Sequence, residues 1–486
     1  MSLSYGRIAA AGLTWSFFLV AWSKLGSLIA QMGLGWLLAK DDFKLYALAI
    51  GIMSLVSALR ENGLQRLLIQ QGHRFDELAV PTRRIAILMH MIAAVLLIGL
   101  AIPAASYYGE PALTPLIWVM AASLPLTAIP TVYASKLAID LQFGTLAKIQ
   151  SVSAVLRPLA MLGLAAAGFG PYSFVLPLLI VAGYEWAALR RVAGKLPLSN
   201  RSTWGVVKEW FPQLRWIILA QPAISLSMQA DYLIVGKLQP DALAAYFFGF
   251  QLAVSFVVLF GQSVKNVMLP VLRRLSSERE RCAVAFARVV QTLVLLAGPI
   301  GIGMALVSEP VINWIWDGKW DAAVPVVQAM ALCMPFMVLG PLGITTMEAL
   351  GRWHLVTITM YGFVMLLIAA ASAGALLGGP GLIALLVGIQ YIGRGLTLSM
   401  IAGRGLGLRG LDLAKQCVTG FFCSLLAGGI AIGASWWSPH SQIPWIDVGI
   451  RAMFYILAIL VLWATLFRAD VRILLRILRP NNTFAK

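Results

Sequence analysis

The stretch LYALAIGIMSLVSALRENGLQRLLIQ, residues 45–70, joins a dozen almost wholly apolar residues to a segment that holds Arg60, Glu61 and Asn62 side by side. An apolar run of about 20 residues can cross a hydrocarbon core about 30 Å thick. A charge near the centre of such a span costs at least about 2.5 kcal/mol unless it faces protein or water. The stretch therefore predicts a membrane helix over residues 44–71 whose polar face borders a water-filled cavity of the protein.

The composition of the chain is that of a membrane protein. Hydrophobic residues fill 60% of its 486 positions, charged residues only 12%, and the mean hydropathy is +0.84. A soluble domain carries roughly twice that share of charged residues, and the apolar runs lack the alternation of a membrane barrel. We predict an all-α polytopic membrane protein with about fourteen transmembrane helices, the first a retained helix and not a signal peptide. The approximate limits of the spans are 8–36, 44–71, 82–106, 112–135, 146–167, 172–190, 210–236, 242–270, 285–308, 321–349, 354–378, 381–402, 414–434 and 444–467.

The net charge of +17 is explained by topology. With the N-terminus inside, 25 of the 37 Lys and Arg residues fall in inward loops, 4 in outward loops and 8 within spans. This is a strong positive-inside bias. It predicts a multi-pass protein of the bacterial inner membrane with both termini in the cytoplasm. The basic residues then meet anionic headgroups, and no nucleic-acid partner is needed.

Two stretches suggest an internal repeat. LAKDDFKLY (38–46) and VGKLQPDALAAY (235–246) each lie on a predicted outward turn, and Asp41 and Tyr46 match Asp241 and Tyr246 at an offset of 200 residues. Six spans per copy would make the copies parallel. We predict two parallel six-helix bundles around a central cavity, followed by two further helices. The predicted domains are 1–190, a basic cytoplasmic linker over 191–208, 209–402, and 403–486.

Polar residues form stripes on spans one, two, seven and eight, the spans that the repeat relates to one another. Their spacing of three, four or seven residues places each set on one helical face. We predict that these residues line a substrate-binding cavity: Lys24, Ser27, Gln31, Ser57, Arg60, Gln65, Gln221, Ser225, Gln229, Gln251, Gln262, Lys265 and Asn266. In the alternative interpretation, Ser and Gln are hydrogen-bonding contacts between membrane helices, and Arg60 pairs locally with Glu61.

Two acidic residues near the stripes, Glu61 and Asp231, are candidates for coupling to H⁺ or Na⁺. A carboxylate beside basic residues could exchange a proton or a sodium ion when a substrate binds. Asp231 could instead cap the outer end of span seven or pair with a basic neighbour. No cofactor, metal site or catalytic residue is predicted, because the four cysteines and four histidines show no metal spacing and no nucleotide-binding fingerprint is present.

Several landmarks resemble polysaccharide transporters of the Wzx type. LLAKDDFKLYALAIGIMSLVSALRENGLQRLLIQ (37–70) resembles the opening of that family, and ADYLIVGKLQPDALAAYFFGFQLA (230–253) resembles its second-half signature. MLPVLRRLSSERER (268–281), WDGKWDAAVPVVQAMA (316–331) and MEALGRWHL (347–355) follow in the family's order. Relatives usually carry fewer charges where this chain has Arg60, Glu61 and Asn62.

The resemblance implies the multidrug/oligosaccharidyl-lipid/polysaccharide exporter fold. It further implies a flippase that moves a polyprenyl-diphosphate-linked oligosaccharide between leaflets, with a polysaccharide polymerase or export machinery as possible partners. In lipid-linked precursor flippases of this superfamily, basic residues on spans one, two and eight face the cavity, and Lys24, Arg60 and Lys265 occupy those spans here. Two alternatives stay open: a small-molecule or drug antiporter of the same fold, which would favour a more acidic cavity, and a membrane glycosyltransferase or polymerase, which would need a larger outward loop.

Overall fold

The computed structural model describes residues 22–23, 26–56, 59, 63–194, 196, 201–255, 257, 279–435 and 444–466. Every helix or strand element in this part of the chain is helical, which confirms the predicted all-α class. Nine helices within it are long and apolar enough to cross a membrane: Gly72–Tyr108, Leu113–Ile139, Phe143–Ala166, Tyr172–Ala193, Leu214–Leu238, Glu280–Trp316, Asp321–Ala349, Trp353–Leu377 and Pro380–Gly405. They correspond to nine of the predicted spans, and the count of fourteen stays a prediction.

The described helices are numbered here in chain order. They are α1 (26–37), α2 (Lys40–Leu55), α3 (Leu64–Gln70), α4 (Phe75–Tyr108), α5 (Leu113–Ile139), α6 (Phe143–Ala166), α7 (Tyr172–Ala193), α8 (Thr203–Leu226), α9 (Ala230–Leu238), α10 (240–255), α11 (Arg279–Trp316), α12 (Val324–Met337), α13 (Leu339–Ala349), α14 (Trp353–Leu377), α15 (Pro380–Gly405), α16 (Gly410–Ser435) and α17 (Pro444–Leu466).

The chain forms two compact units. The first comprises Met1–Phe248 with Met347–Gln390, and the second comprises Gly249–Thr346 with Tyr391–Lys486. Helices α10 and α15 each contribute residues to both units. The predicted six-helix bundles, 1–190 and 209–402, stay a prediction.

In the first unit, α5 packs against α4 and α7, and α7 also packs against α6. Helices α2, α4 and α14 all contact α8. The apolar contact between the first half of the unit and α8 is a cluster of buried side chains that includes Leu68, Phe75, Leu78, Trp210 and Leu214. This cluster fixes α8 beside the chain that joins α3 to α4, so it positions the polar residues of span seven.

In the second unit, α11 packs against α12, α16 and α17. Its apolar cluster contains Ile302, Ala427 and Tyr455, and the Tyr455 hydroxyl donates a 3.0 Å hydrogen bond to the Pro299 carbonyl. Glycine allows close helix contact here, because a Cβ at Gly395 of α15 would meet the Phe336 backbone oxygen of α12. Small residues at such contacts are typical of membrane helix packing.

Span two is interrupted, whereas the sequence predicted one helix over residues 44–71. Helix α2 ends at Leu55 and α3 begins at Leu64; Leu59, the one described residue between Val56 and Gly63, is helical. The residue before α3, Gly63, has φ +75°, a left-handed conformation that a residue with a side chain adopts at a cost. The charged triplet Arg60, Glu61 and Asn62 belongs to this interval of the sequence but lies outside the described residues.

Spans seven and ten are interrupted as well. Helix α8 ends at Leu226 and α9 begins at Ala230; between them the Ser227 hydroxyl donates to the Ile224 carbonyl at 2.7 Å, a local bond that competes with the helical pattern. Helix α12 ends at Met337 and α13 begins at Leu339. Pro341 has no N–H to bond the Met337 carbonyl, so the helix ladder lacks one hydrogen bond at this point.

Candidate functional site

The site residues predicted on span one lie on α1. Ser27 is exposed, and its hydroxyl donates to the Ser23 carbonyl at 2.8 Å. Gln31 is half-buried, and its buried amide nitrogen has no hydrogen-bond partner among the residues that the structure describes. Lys24 lies outside those residues. The role of all three in substrate binding stays a prediction.

Four predicted residues of span seven surround its interruption. Gln221 and Ser225 lie on α8 and are half-buried. Gln229, the residue directly before α9, is also half-buried. Asp231, in the first turn of α9, is fully buried. The interruption therefore sits within the polar stripe that the sequence predicted.

The predicted residues of spans two and eight are only partly described. Gln65 is exposed on α3, and Gln251 is half-buried on α10 in the second unit. The other six of these candidates lie outside the described residues: Ser57, Arg60, Glu61, Gln262, Lys265 and Asn266.

Span two runs antiparallel along span seven, and glycines mark the contact. A Cβ on Gly51 of α2 would lie 2.8 Å from the Leu233 side chain and 3.5 Å from the Gln229 carbonyl oxygen. A Cβ on Gly63 would lie 3.1 Å from the Ile217 side chain of α8. The interval between α2 and α3 is therefore flanked by residues that contact the two ends of the 217–229 segment.

A buried aromatic cluster holds the other end of these helices together. Tyr46 of α2 stacks on Phe174 of α7 with ring centroids 4.3 Å apart, and it meets Phe247 of α10 edge-on at 5.7 Å. Tyr232 of α9 and Tyr246 of α10 meet at 6.1 Å. The two repeat-related tyrosines thus lie in one cluster, while their repeat-related aspartates, Asp41 and Asp241, are both exposed.

Asp231 is held by this cluster. The Tyr246 hydroxyl donates to its Oδ2 atom at 2.5 Å, and both side chains are fully buried. A carboxylate in the first turn of a helix is favoured by the helix dipole. The structure shows Tyr246 as one partner of Asp231. The cap or basic partner that the sequence suggested stays a prediction.

Hydrogen bonds tie the predicted outer turns of the first unit together. Lys237 donates to the Tyr107 carbonyl at 2.6 Å and stands 4.2 Å from that tyrosine's ring centre. The Gln239 amide donates to the Ala375 and Gly378 carbonyls at 2.7 Å each. These bonds join the turn between spans seven and eight to the ends of α4 and α14.

A network of four charged residues lies at the opposite, predicted cytoplasmic end. Arg74 lies 2.7 Å from Glu209, and Arg201 lies 2.7 Å from Glu77 and 2.5 Å from Glu209. The hydrogen bond from Arg74 holds the pKa of Glu209 below its usual value. The sequence did not predict this network, because the Lys and Arg residues of the inward loops were interpreted only as determinants of topology.

The polar segment of span seven lies between the contacts of Lys237 and Gln239 at the predicted outward end and the charged network of Glu209 at the predicted cytoplasmic end. Helix α8 takes part in the charged network and α9 takes part in the outward contacts, so each end of span seven is held by its own set of contacts. Such an arrangement suits a transporter that exposes a polar site to one side at a time. Among the described residues, no group of three or more His, Cys, Asp or Glu side chains could hold a metal ion.

Known proteins similar to this chain are connected with polysaccharides. The chain is 25% identical to the teichuronic acid biosynthesis protein TuaB of Bacillus subtilis over 226 residues. This alignment covers 44% of the chain and 45% of TuaB. Over 300 residues the chain is 22% identical to the succinoglycan biosynthesis transport protein ExoT of Rhizobium meliloti, covering 61% of the chain and 60% of ExoT. The matched part thus spans less than two thirds of the length of either relative.

Among solved structures, the chain is similar to the lipid II flippase MurJ in its inward closed conformation. The TM-score is 0.68 at 15% identity, and the alignment covers 93% of this chain and 99% of MurJ. This likeness shows a common fold. The family model described as "Polysaccharide biosynthesis protein" matches residues 34–325. The chain is therefore a multi-pass membrane protein that belongs to the polysaccharide biosynthesis protein family.

Proposed function

We propose that the chain is a flippase that moves a polyprenyl-diphosphate-linked oligosaccharide across the bacterial inner membrane by alternating access, for cell-surface polysaccharide such as exopolysaccharide, capsule or O-antigen. The observation that carries the proposal is the pairing of two interrupted membrane helices. Gly51 of α2 and Gly63, which stand on either side of the interval between α2 and α3, contact the two ends of the polar 217–229 segment, where span seven is interrupted. Interrupted helices commonly form the substrate sites of membrane transporters, because they bring unpaired backbone groups to the middle of the membrane.

The chemistry of the predicted site suits this substrate. Gln221, Ser225 and Gln229 offer donors and acceptors for sugar hydroxyls. The diphosphate requires cations, and Lys24, Arg60 and Lys265 are the predicted ones. The polyprenyl tail is apolar and can stay in lipid. The names of TuaB and ExoT support a polysaccharide precursor over a drug-like cation.

The proposed orientation places both termini in the cytoplasm. It is supported by the distribution of Lys and Arg between alternate loops. The Thr203 end of α8 is then cytoplasmic, and the Gln239 turn faces outward. The substrate would be loaded from the inner leaflet and released to the outer leaflet, where a polysaccharide polymerase or export machinery would receive it. The proposed function needs no catalytic residue or metal.

We also propose that transport is coupled to H⁺ or Na⁺ through Asp231, with Glu61 as the second candidate. Support comes from the burial of Asp231 and from its bond to Tyr246 in the cluster at the outward end. Ion binding at this carboxylate would change the contacts that hold that end together. Transport in proteoliposomes should respond to an imposed pH or sodium gradient, and Asp231→Asn should remove the response. Transport that ignores both gradients in the parent would refute coupling but leave the substrate proposal intact.

Binding by the purified protein tests the substrate class. A polyprenyl-diphosphate oligosaccharide should raise the thermal unfolding midpoint more than the same polyprenyl monophosphate, which lacks sugars and one phosphate. Gln221→Leu and Ser225→Ala should reduce the effect, whereas Ile358→Ala, at an exposed position of α14, should not. Stabilisation by organic cations and not by the glycolipid would indicate the antiporter alternative.

A further inference from the structure

One face of α8 carries a row of alternating aromatic and basic side chains. Trp204, Lys208, Phe211, Arg215 and Leu219 are four, three, four and four residues apart, so they lie within an arc of roughly 80° on the helix. All five are exposed, with Trp204 at 65% and Phe211 at 58%. We call these five residues the α8 stripe.

The opposite face of α8 is its packing face. Val206, Trp210, Leu214 and Ile217 are buried in the apolar cluster of the first unit. Glu209 points to a different side from the stripe, where it binds Arg74 and Arg201. The core of the first unit thus needs none of the stripe residues for its packing.

The positive charge of the stripe is not compensated by any acidic residue in the part of the chain that the structure describes. Glu209 is the single acidic residue of α8, and it is occupied by the two arginines. Lys208 and Arg215 form no ion pair with any carboxylate that the structure describes, and each instead stands near an aromatic ring. The Lys208 ammonium lies 5.9 Å from the Trp204 ring centre, and the Arg215 guanidinium lies 5.8 Å from that of Trp216.

The position of the stripe along the helix matches a membrane surface. The apolar span of this helix begins at Leu214, and α8 begins eleven residues earlier, at Thr203. At 1.5 Å per residue, Lys208 and Arg215 are about 10 Å apart along the axis and straddle the start of the span. Arg215 can extend its side chain back toward the headgroups. Trp204 lies toward the aqueous end, where tryptophan favours the interface, and Leu219 lies within the apolar region.

A neighbouring helix extends the same surface. Trp216 packs edge-on against His354 at the start of α14, with ring centroids 6.4 Å apart. Farther along α14, Ile358 and Met365 are exposed. Basic and aromatic groups at one end of the surface and aliphatic groups at the other match the headgroup and acyl chains of a lipid.

We propose that the α8 stripe binds an anionic phospholipid of the leaflet at the Thr203 end of α8, with its phosphate between Lys208 and Arg215 and its acyl chains along Leu219. Charge complementarity selects this partner, because a zwitterionic headgroup brings no net negative charge to two cations that pair with no described carboxylate. The stripe is separate from the polar residues proposed for the transported glycolipid. It would anchor α8, whose other side carries Glu209 of the ion-pair network.

Lipid competition tests the proposal without any transport measurement. The full-length protein is placed in nanodiscs of phosphatidylcholine with increasing phosphatidylglycerol, and retained lipids are counted by native mass spectrometry. The parent should retain phosphatidylglycerol in preference to phosphatidylcholine. Lys208→Gln and Arg215→Gln should each lower this preference about fivefold, while Lys208→Arg should keep it. Arg84→Gln removes the same charge from an exposed position on α4 and should have little effect.

Three results would overturn the proposal. The parent could show no preference for phosphatidylglycerol. Arg84→Gln could reduce the preference as much as the stripe variants, which would indicate a general charge effect. The stripe variants could keep the phosphatidylglycerol preference and lose binding of a polyprenyl diphosphate, which would make the stripe a contact for the transported lipid. Failure of the proposed transport function would leave all three readouts unchanged.

Discussion

The Tyr246 hydroxyl and the Asp231 carboxylate form a 2.5 Å hydrogen bond within a fully buried aromatic cluster. A hydrogen bond to a charged group contributes about 1.5–3 kcal/mol, and loss of the donor leaves a buried carboxylate with one partner fewer. The bond joins the first turn of α9 to α10 at the predicted outward end of the first unit. It should therefore stabilise the contact between α9 and α10 at that end.

Tyr246→Phe should lower the thermal unfolding midpoint and increase solvent access at the outward end. Hydrogen exchange of the α9 amides measures that access directly. Tyr46→Phe is the matched control, because it removes a hydroxyl from the repeat-related position in the same cluster and leaves the Asp231 bond in place. Equal effects of the two variants on exchange in α9 would contradict the special role of the Asp231–Tyr246 bond.

The ion-pair network at the other end should contribute modestly to stability. A double-mutant cycle of Arg74→Ala and Glu209→Ala should give a small stabilising coupling free energy at pH 7, as for other exposed pairs. Arg84→Ala combined with Glu209→Ala should be additive. Additivity of the Arg74 and Glu209 variants as well would mean that their contact has no energetic role.

The same network should depend on pH. Arg74 lowers the pKa of Glu209 in the folded protein, so its contribution is fully present above the unfolded glutamate pKa of about 4.3. It is lost as the pH falls through the lower, folded-state pKa. The coupling free energy between Arg74 and Glu209 should accordingly be constant between pH 6 and 8 and decline only in the acid range. A decline near neutral pH would assign the effect to another group.

Much of the fold was predictable because membrane insertion leaves a strong signal in the sequence. Apolar runs predicted the all-α membrane class and nine spans that are long and apolar enough to cross a membrane among the residues that the structure describes. The interruption of span two was missed, although Asn62–Gly63 is a typical turn dipeptide. Apolar periodicity was given more weight than this local signal.

The contacts of the candidate site were less predictable. Asp231 and Tyr246 lie fifteen residues apart on two different helices, and Arg74 and Glu209 lie more than a hundred residues apart. Single-sequence periodicity places each residue on a helical face but does not say which faces meet. The tertiary packing of α2, α8, α9 and α10 decides these partners.

Gly63 should be sensitive to substitution for two separable reasons. Its φ of +75° disfavours any side chain, and a Cβ would lie 3.1 Å from Ile217. Gly109 has φ +71° but open space where a Cβ would stand. Gly109→Ala should cost about 1–2 kcal/mol from the backbone alone, and Gly63→Ala should cost more because α8 must shift. Thermal unfolding of both variants measures the difference; equal losses would show that the contact with α8 yields freely.

The proposed orientation predicts a pattern of chemical labelling. In a variant that lacks the native cysteines, Asp241→Cys should react with a membrane-impermeant maleimide added to intact cells, because the outward turn is exposed. Ser202→Cys is also exposed in the structure but should react only after the membrane is opened. The reverse pattern would place the termini and the 191–208 linker outside and overturn the orientation.

The measurement that tests the central claim most directly is leaflet transfer by the purified protein. A fluorescent polyprenyl-diphosphate oligosaccharide is placed in both leaflets of proteoliposomes, and an impermeant quencher reports how fast the inner pool reaches the outside. The account predicts complete quenching with the parent protein, slower quenching with Gln221→Leu, and an unchanged rate with Ile358→Ala. Quenching limited to the outer half with the parent, at the same extent as in protein-free liposomes, would contradict it.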